Sequence, residues 1–226
     1  MTAAPSPISQ NAPSPKLDAY VLELMASRMC HDIISPVGAI TNGIELMAEL
    51  GPDNAHEATA LIAQSAEQAN RRLRMFRYAY GASGSRVMID IKDLRQVAFA
   101  YFEGTRSVLE WPETFPPAMS DLPRGLLKTI LNLLMLGGEM VTKAGLLKLR
   151  ALNDSPINID IQVSGEGANF REGMEAALQG TIEPQDLDPR LVHAYITGAL
   201  ARHYGLKITL QKALDSNKIS FLLAEA

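Results

Sequence analysis

The chain has 226 residues, of which 47% are hydrophobic and 20% are charged, a balance that excludes a wholly disordered protein. The 25 Asp and Glu residues outnumber the 21 Lys and Arg residues, and the net charge of -4 argues against a dedicated nucleic-acid-binding protein. The single cysteine, Cys30, excludes an internal disulfide framework and suits a reducing cytoplasm.

The sequence also argues against a metal centre and against a membrane protein. The four histidines are scattered along the chain and form no metal-binding pattern. The most apolar stretch, 125–138, is interrupted by Lys128 and Asn132 and is shorter than the ~20 apolar residues of a membrane span. No basic segment followed by an apolar one precedes Lys16. We therefore expect a cytoplasmic protein that binds neither nucleic acid nor membrane.

The N-terminal third predicts a tail followed by a helical hairpin. Residues 1–15 carry four prolines among Ser, Ala and Asn, which indicates a disordered tail. A helical pattern runs over 16–50, a Gly-Pro-Asp break follows at 51–53, and a second helical pattern runs over 54–80. Two long helices joined by a short turn form an antiparallel hairpin, and we assign 16–81 to it.

The composition of 86–226 predicts a second domain of alternating strands and helices. Its predicted elements are a strand at 86–91, a helix at 92–104, a strand at 107–111, a buried helix at 123–142, strands at 146–152 and 157–163, helices at 170–178 and 189–204, and strands at 206–212 and 218–223. Helices segregated beside a largely antiparallel sheet make an α/β sandwich. The predicted fold class is therefore α+β, with a helical hairpin preceding the sandwich.

One histidine of the first helix lies opposite the apolar face of that helix. At ~100° per residue His31 points ~180° away from the middle of the apolar stripe. The stripe consists of Leu22, Met29, Ile33, Ile40, Ile44 and Met47. Because His31 faces outward, a role in the core is excluded by geometry. The residues after it on the same face are small or polar, which leaves room for a partner to dock.

The first helix contains residues that weaken a helix shortly after His31. Pro36 removes a backbone hydrogen bond, and Gly38 and Gly43 each cost up to ~1 kcal/mol relative to Ala. Close approach of another backbone is one explanation, and a merely kinked bundle helix is the other.

The apolar stripes of the two helices predict a homodimer. The second helix has its own stripe, formed by Ile62, Ala66, Ala69, Leu73, Phe76 and Tyr80. Two helices alone cannot enclose stripes of this length. A second hairpin that completes a four-helix bundle is the simplest solution.

The residues around His31 resemble a known phosphoacceptor motif. His31 to Pro36, read as His-Asp-Ile-Ile-Ser-Pro, is similar to the H-[DE]-x-x-x-P box of bacterial histidine kinases. The longer string from Cys30 to Ile40, followed by Asn42 and Gly43, is closer still to the ChpT-type histidine phosphotransferases of alphaproteobacteria. The resemblance covers almost the whole chain. It implies a histidine-bearing hairpin, then a domain with the fold of the kinase ATP-binding domain.

The second domain departs from that of a working kinase at three positions. Leu136 stands where the kinase asparagine box has its magnesium-binding asparagine, four residues after Asn132. Val163 stands where an aspartate reads the adenine, ahead of Gly165-Glu166-Gly167, and 187–190 replaces the glycine-rich phosphate loop. We therefore expect no nucleotide cofactor and no bound metal, with Mg²⁺ supplied by a partner receiver domain.

The resemblance implies roles for individual residues. His31 is the nucleophile that carries the phosphoryl group, and Asp32 orients its imidazole or accepts its ring proton, unless Asp32 is only a solvated charge. Arg28 either stabilises phosphoryl charge or is an ordinary surface arginine. Ser35 occupies the place where related kinases orient a water. The receiver is expected to dock on Gly38, Asn42 and Glu45.

The implied function is a relay of phosphoryl groups in a cell-cycle phosphorelay. The donor would be the receiver domain of a CckA-like hybrid histidine kinase, and the acceptors CtrA-like and CpdR-like response regulators. Two alternatives stay open on the sequence alone. One is an active ATP-dependent histidine kinase with an atypical nucleotide pocket. The other is a non-catalytic scaffold that only binds receivers.

Overall fold

The computed structural model describes residues 18–50, 55–81, 91–113, 122–123, 125–154, 157–213 and 217–226. Its helices are α1 (Ala19–Leu50), α2 (Ala55–Tyr80), α3 (Ile91–Phe102), α4 (Leu126–Glu139), α5 (Met174–Gln179) and α6 (Val192–His203). Its strands are β1 (Ser107–Glu110), β2 (Gly145–Asp154), β3 (Ile157–Gly165), β4 (Leu206–Lys212) and β5 (Lys218–Glu225). The tail predicted at 1–15 and the break predicted at 51–53 lie outside the described residues.

The helices α1 and α2 pack along each other, as the predicted hairpin requires. The two helices come close together at Gly43, where an added Cβ would lie 2.6 Å from Cγ1 of Ile62 and 3.4 Å from the carbonyl oxygen of Ala58. The absence of a side chain at Gly43 therefore allows α2 to lie close to α1, which favours close approach as the reason for this glycine. At Gly38, by contrast, an added Cβ would meet nothing within 4 Å.

A five-stranded sheet with the order β1-β2-β3-β5-β4 forms the centre of the rest of the chain. Only the β1–β2 pair is parallel, and the three other pairs are antiparallel. Helix α4 is buried along most of its length because it packs against β2 and β3 as well as α2, α3 and α6. This arrangement confirms the α+β class. We call α3–α6 with this sheet the sheet domain.

The strand predicted at 86–91 is wrong at its last residue, because Ile91 opens α3. The buried residues Leu94, Val97 and Ala98 have helical spacing, and Asp93 lies in the first turn, where the helix dipole favours an acid. The rest of that prediction, 86–90, falls outside the described residues.

The predicted helix boundaries are least accurate in the sheet domain. The helix predicted over 123–142 is shorter at both ends, and Met140 closes it with a backbone hydrogen bond to Gly137. The helix predicted from 189 begins as a 3-10 turn, Pro189–Leu191, before α6. Asp188 caps this turn, because its carboxylate accepts a 2.8 Å hydrogen bond from the amide of Arg190.

The described residues contain neither a membrane-spanning helix nor a metal-binding cluster. No helix there combines the length and the hydropathy that a membrane crossing requires. The described His, Cys, Asp and Glu side chains form no group of three that fits a metal ion.

Candidate active site

His31 stands on the outer surface of α1, where 87% of its side chain is exposed. This exposure agrees with the outward orientation that the helical wheel predicts. Its Nδ1 atom lies 3.6 Å from Oδ1 of Asp32, the neighbouring residue, whose side chain is 31% exposed. An exposed imidazole with a carboxylate beside one ring nitrogen leaves its other nitrogen open to a partner.

The backbone beside His31 is held to the second helix of the hairpin. The guanidinium of Arg72, in α2, donates a hydrogen bond to the carbonyl oxygen of Asp32. Tyr101 of the sheet domain is also close enough for Asp32 to affect its titration. Burial, with added repulsion from the charges of Glu139 and Asp32, raises the pKa of Tyr101 to about 12. The backbone of α1 next to His31 is thus anchored to α2.

The surface after His31 is open. Ser35, Gly38, Asn42 and Glu45 are all exposed, at successive turns of α1. With an imidazole at one end and small or polar residues beyond it, this face can accept a rigid partner surface. We call it the His31 face.

Arg28, the candidate one turn before His31, is already paired. Its guanidinium forms an ion pair with Glu139, the last residue of α4, and both side chains are about three-quarters buried. A direct contact between Arg28 and a phosphoryl group therefore requires this ion pair to open.

Glu139 belongs to a cluster that the sequence analysis missed. Oε1 of Glu139 lies 3.0 Å from Nδ1 of His193 in α6, and Nε2 of that ring lies 3.2 Å from Oδ1 of Asn132 in α4. The ring of Tyr80, from α2, meets the His193 ring edge-on at 6.2 Å between centroids. We call Arg28, Glu139, His193 and Asn132 the junction cluster, since they join the hairpin to the sheet domain.

The charges in the junction cluster shape its titration. Burial raises the pKa of Glu139, but the hydrogen bond from His193 and the charge of Arg28 outweigh it and leave that pKa below its usual value. Burial lowers the pKa of His193, and the adjoining carboxylate opposes this effect. The cluster therefore holds an ionised Glu139 between Arg28 and an imidazole.

Asn132 has a structural task in this chain. Its amide nitrogen donates to the carbonyl oxygens of Ala79 at 3.2 Å and of Lys128 at 2.9 Å. The ammonium of Lys128 donates to the carbonyl oxygen of Gly81. The bonds to Ala79 and Gly81 satisfy carbonyls at the C-terminal end of α2, where a cation is favourable. Both N–H groups of the Asn132 side chain are thus used within the fold.

The two other positions that distinguish a kinase nucleotide site lie in the apolar core. Leu136 is buried in α4, and Val163 is buried in β3, where it pairs with Leu147 and Ile219. Neither side chain reaches a surface from which it could contact a nucleotide.

Comparison with known proteins identifies the class. Residues 91–216 match the family described as histidine phosphotransferase C-terminal domain. The chain is 37% identical over 194 residues to the protein phosphotransferase ChpT of Brucella abortus (strain 2308), a match that covers 85% of this chain and 90% of that protein. With the histidine-bearing hairpin and the sheet domain, these matches define a protein phosphotransferase. The chain belongs to the histidine phosphotransferase family.

One solved structure agrees with that assignment. A structure described as a bacterial phosphotransferase matches at a TM-score of 0.73 and 32% identity, over 92% of this chain and 97% of that one. A histidine kinase domain from Erythrobacter litoralis EL346 overlaps more loosely, at a TM-score of 0.44 and 12% identity, over 84% of this chain and 93% of that one.

Proposed function

We propose that His31 relays a phosphoryl group between the aspartates of receiver domains. The donor in this proposal is the receiver domain of a CckA-like hybrid histidine kinase, and the acceptors are CtrA-like and CpdR-like response regulators of a cytoplasmic cell-cycle phosphorelay. Membership of the phosphotransferase family supports the reaction type. The observation that carries the choice of residue is the exposure of 87% of the His31 side chain beside an open helix face.

The proposed chemistry needs one nucleophile from this chain. The carboxylate of Asp32, 3.6 Å from Nδ1, favours the tautomer with the proton on Nδ1 and leaves Nε2 as the nucleophile. Nε2 attacks the phosphorus of the aspartyl phosphate, the N–P bond forms, and the bond between phosphorus and the aspartyl oxygen breaks. The Nδ1 proton then leaves to Asp32 or water. The reverse steps deliver the group to the next aspartate.

The other candidates have supporting roles in this proposal. The receiver brings the Mg²⁺ that neutralises phosphoryl charge, so this chain needs no metal of its own. Ser35 lies one turn beyond His31 and orients a water only if the protein also hydrolyses the phosphohistidine. The receiver rests on Gly38, Asn42 and Glu45, which are exposed on the His31 face.

Labelling from two donors tests the proposal. The purified chain is incubated with a radiolabelled, phosphorylated receiver domain of a hybrid kinase, and separately with radiolabelled ATP. We expect label on the chain from the receiver and none from ATP. Label from ATP alone would favour the kinase alternative. Receiver binding without any label would favour the scaffold alternative.

Nucleotide binding is expected to be negligible. The residues at the positions of the magnesium and adenine ligands, Leu136 and Val163, are core side chains, and Asn132 is used up by hydrogen bonds. We expect a dissociation constant for Mg-ATP no tighter than the millimolar range, about 4 kcal/mol of binding free energy. Calorimetry measures it, with an ATP-using histidine kinase domain as the positive control. Micromolar binding by this chain would contradict the prediction.

The hairpin is proposed to form a homodimer through a four-helix bundle. Within one chain, the stripe residues Leu22, Ile44 and Leu73 are more than half exposed, at 55%, 57% and 53%. Exposed apolar surface of this extent along two helices favours a partner, and a second copy of the hairpin presents the matching surface.

Ile44→Asp is expected to break that dimer. The substitution places an unpaired carboxylate in the predicted interface, which costs several kcal/mol. Light scattering is expected to give the mass of two chains for the wild type and of one chain for Ile44→Asp. Asn42→Asp, on the His31 face two residues away, is the matched control and should stay dimeric. A wild-type chain that is monomeric at micromolar concentration would contradict the proposal.

A further inference from the structure

The ion pair between Arg28 and Glu139 connects two parts of the chain that sequence order keeps far apart. Arg28 belongs to the helix that carries His31, and Glu139 ends α4 of the sheet domain. Behind Glu139, His193 and Asn132 continue the contacts as far as the carbonyl oxygen of Ala79 in α2. Both helices of the hairpin are therefore held to the sheet domain through one connected set of polar groups.

This connection is close to the reacting group. Arg28 precedes His31 by three residues, which is ~4.5 Å along the axis of α1 and ~60° around it. The edge of the sheet domain that contains Glu139 thus lies beside the His31 side of the helix. A receiver that rests on the His31 face and brings its aspartate to His31 therefore lies next to this edge of the sheet domain.

Joining two surfaces through a buried charged cluster costs desolvation free energy. The side chains of Arg28 and Glu139 are 24% and 22% exposed, and that of His193 is 2% exposed, so all three lose most of their hydration. Apolar residues of similar volume often stabilise such a junction more, whereas hydrogen-bonded charges restrict it to one geometry. The cost is thus better explained by a need for one fixed placement than by stability.

We propose that Glu139 is a positioning residue of phosphoryl transfer, which holds Arg28 so that the edge of the sheet domain stays at a fixed place beside His31. This proposal rests on the relay function proposed above. Glu139 affects the binding of the receiver because it fixes the position of the sheet domain relative to His31. Glu139 has no contact with the phosphoryl group in this proposal.

Two kinds of phosphoryl donor distinguish an effect on receiver docking from an effect on the reactivity of His31. A phosphorylated receiver domain of a hybrid kinase must dock, whereas phosphoramidate is a small donor that reaches an exposed imidazole without docking. For each variant, the initial rate of His31 labelling is measured against receiver concentration, which yields a half-saturating concentration and a limiting rate. The rate of labelling by phosphoramidate is measured alongside.

Glu139→Gln is the main variant, because it keeps the shape of the side chain and removes its charge. We expect the half-saturating receiver concentration to rise about tenfold, with a limiting rate within about twofold and unchanged labelling by phosphoramidate. Arg28→Lys keeps a cation opposite Glu139 and should need less receiver for half-saturation than Arg28→Gln does. The double variant Arg28→Gln with Glu139→Gln should be no worse than Glu139→Gln alone, since both remove the same ion pair.

Glu103→Gln is the matched control. Glu103 follows α3 in the sheet domain and pairs with Arg71 of α2 at 2.9 Å. Glu103→Gln therefore also removes an ion pair between hairpin and sheet domain, but one that involves no residue of the junction cluster. We expect a half-saturating concentration near wild type. If Glu139→Gln fails to fold by circular dichroism, Arg28→Gln removes the same ion pair from the side of the hairpin and takes its place.

Three results would overturn the proposal. One is an unchanged half-saturating concentration in Glu139→Gln. Another is an equal rise in Glu103→Gln. The third is a parallel loss of phosphoramidate labelling, which would place the effect on the chemistry of His31. A wild-type chain labelled by phosphoramidate but by no receiver would instead overturn the relay function itself, together with this proposal.

Discussion

Replacement of His31 by Ala or Gln is expected to abolish phosphoryl transfer and to leave the fold intact. Both substitutions remove the nitrogen that carries the phosphoryl group, so the rate should fall by at least ~10³-fold. Because 87% of the side chain is exposed, its loss removes almost no packing, and the free energy of unfolding should change by less than about 0.5 kcal/mol. The measurement pairs transfer from a phosphorylated receiver with thermal unfolding followed by circular dichroism.

His56→Ala is the control for the His31 variants. His56 is also an exposed histidine, on α2 of the same hairpin, and should be dispensable. If phosphate still passes from donor to acceptor through the His31 variants, the proposed mechanism is wrong. An equal loss in His56→Ala would mean that the effect does not belong to His31 alone.

Gly38→Trp is expected to block transfer without unfolding the protein. A Cβ at Gly38 meets nothing within 4 Å, so the indole projects from the His31 face into the space that the receiver must fill. The steric barrier should lower receiver affinity by at least ~100-fold, equivalent to about 3 kcal/mol. Receiver binding, transfer rate and the circular dichroism of the helices are measured together.

Two further glycine variants sharpen this test. Gly38→Ala adds a Cβ into open space and should transfer nearly as well as wild type. Gly43→Trp faces Ile62 and the backbone of Ala58 across the hairpin, and should destabilise the fold. Normal transfer by Gly38→Trp would show that the receiver does not rest on this part of α1.

The hairpin could be predicted from the sequence because its 3.6-residue hydrophobic pattern continues over two long segments. Among the residues that the structure describes, the predicted helices 16–50 and 54–80 differ from α1 and α2 only at Asp18. A 3.6-residue pattern sustained over so many turns has no strand alternative. Short segments are different: Ile91 fits the end of an alternating strand as well as the start of α3, and packing of Leu94 and Val97 in the core decides between them.

The sequence predicts only the part of the site that lies on a single helix, α1. The exposure of His31 and the openness at Gly38 follow from the phase of α1, which the sequence contains. The junction cluster does not follow from any local pattern. In the sequence Glu139 has no feature that distinguishes it from other charged residues near helix ends. His193 lies 54 positions further along the chain. Only tertiary packing brings both to Arg28, and no spacing or motif signals it.

Mapping the phosphorylated residue during a complete relay tests the central claim most directly. The chain is labelled by a phosphorylated receiver domain and digested under alkaline conditions, which preserve phosphohistidine. Mass spectrometry then locates the modification before and after a second, unphosphorylated receiver is added. We predict a single phosphohistidine at His31 that disappears as the second receiver becomes phosphorylated. A phosphoryl group on another residue, or one that stays on His31 after every acceptor has been offered, would contradict the relay.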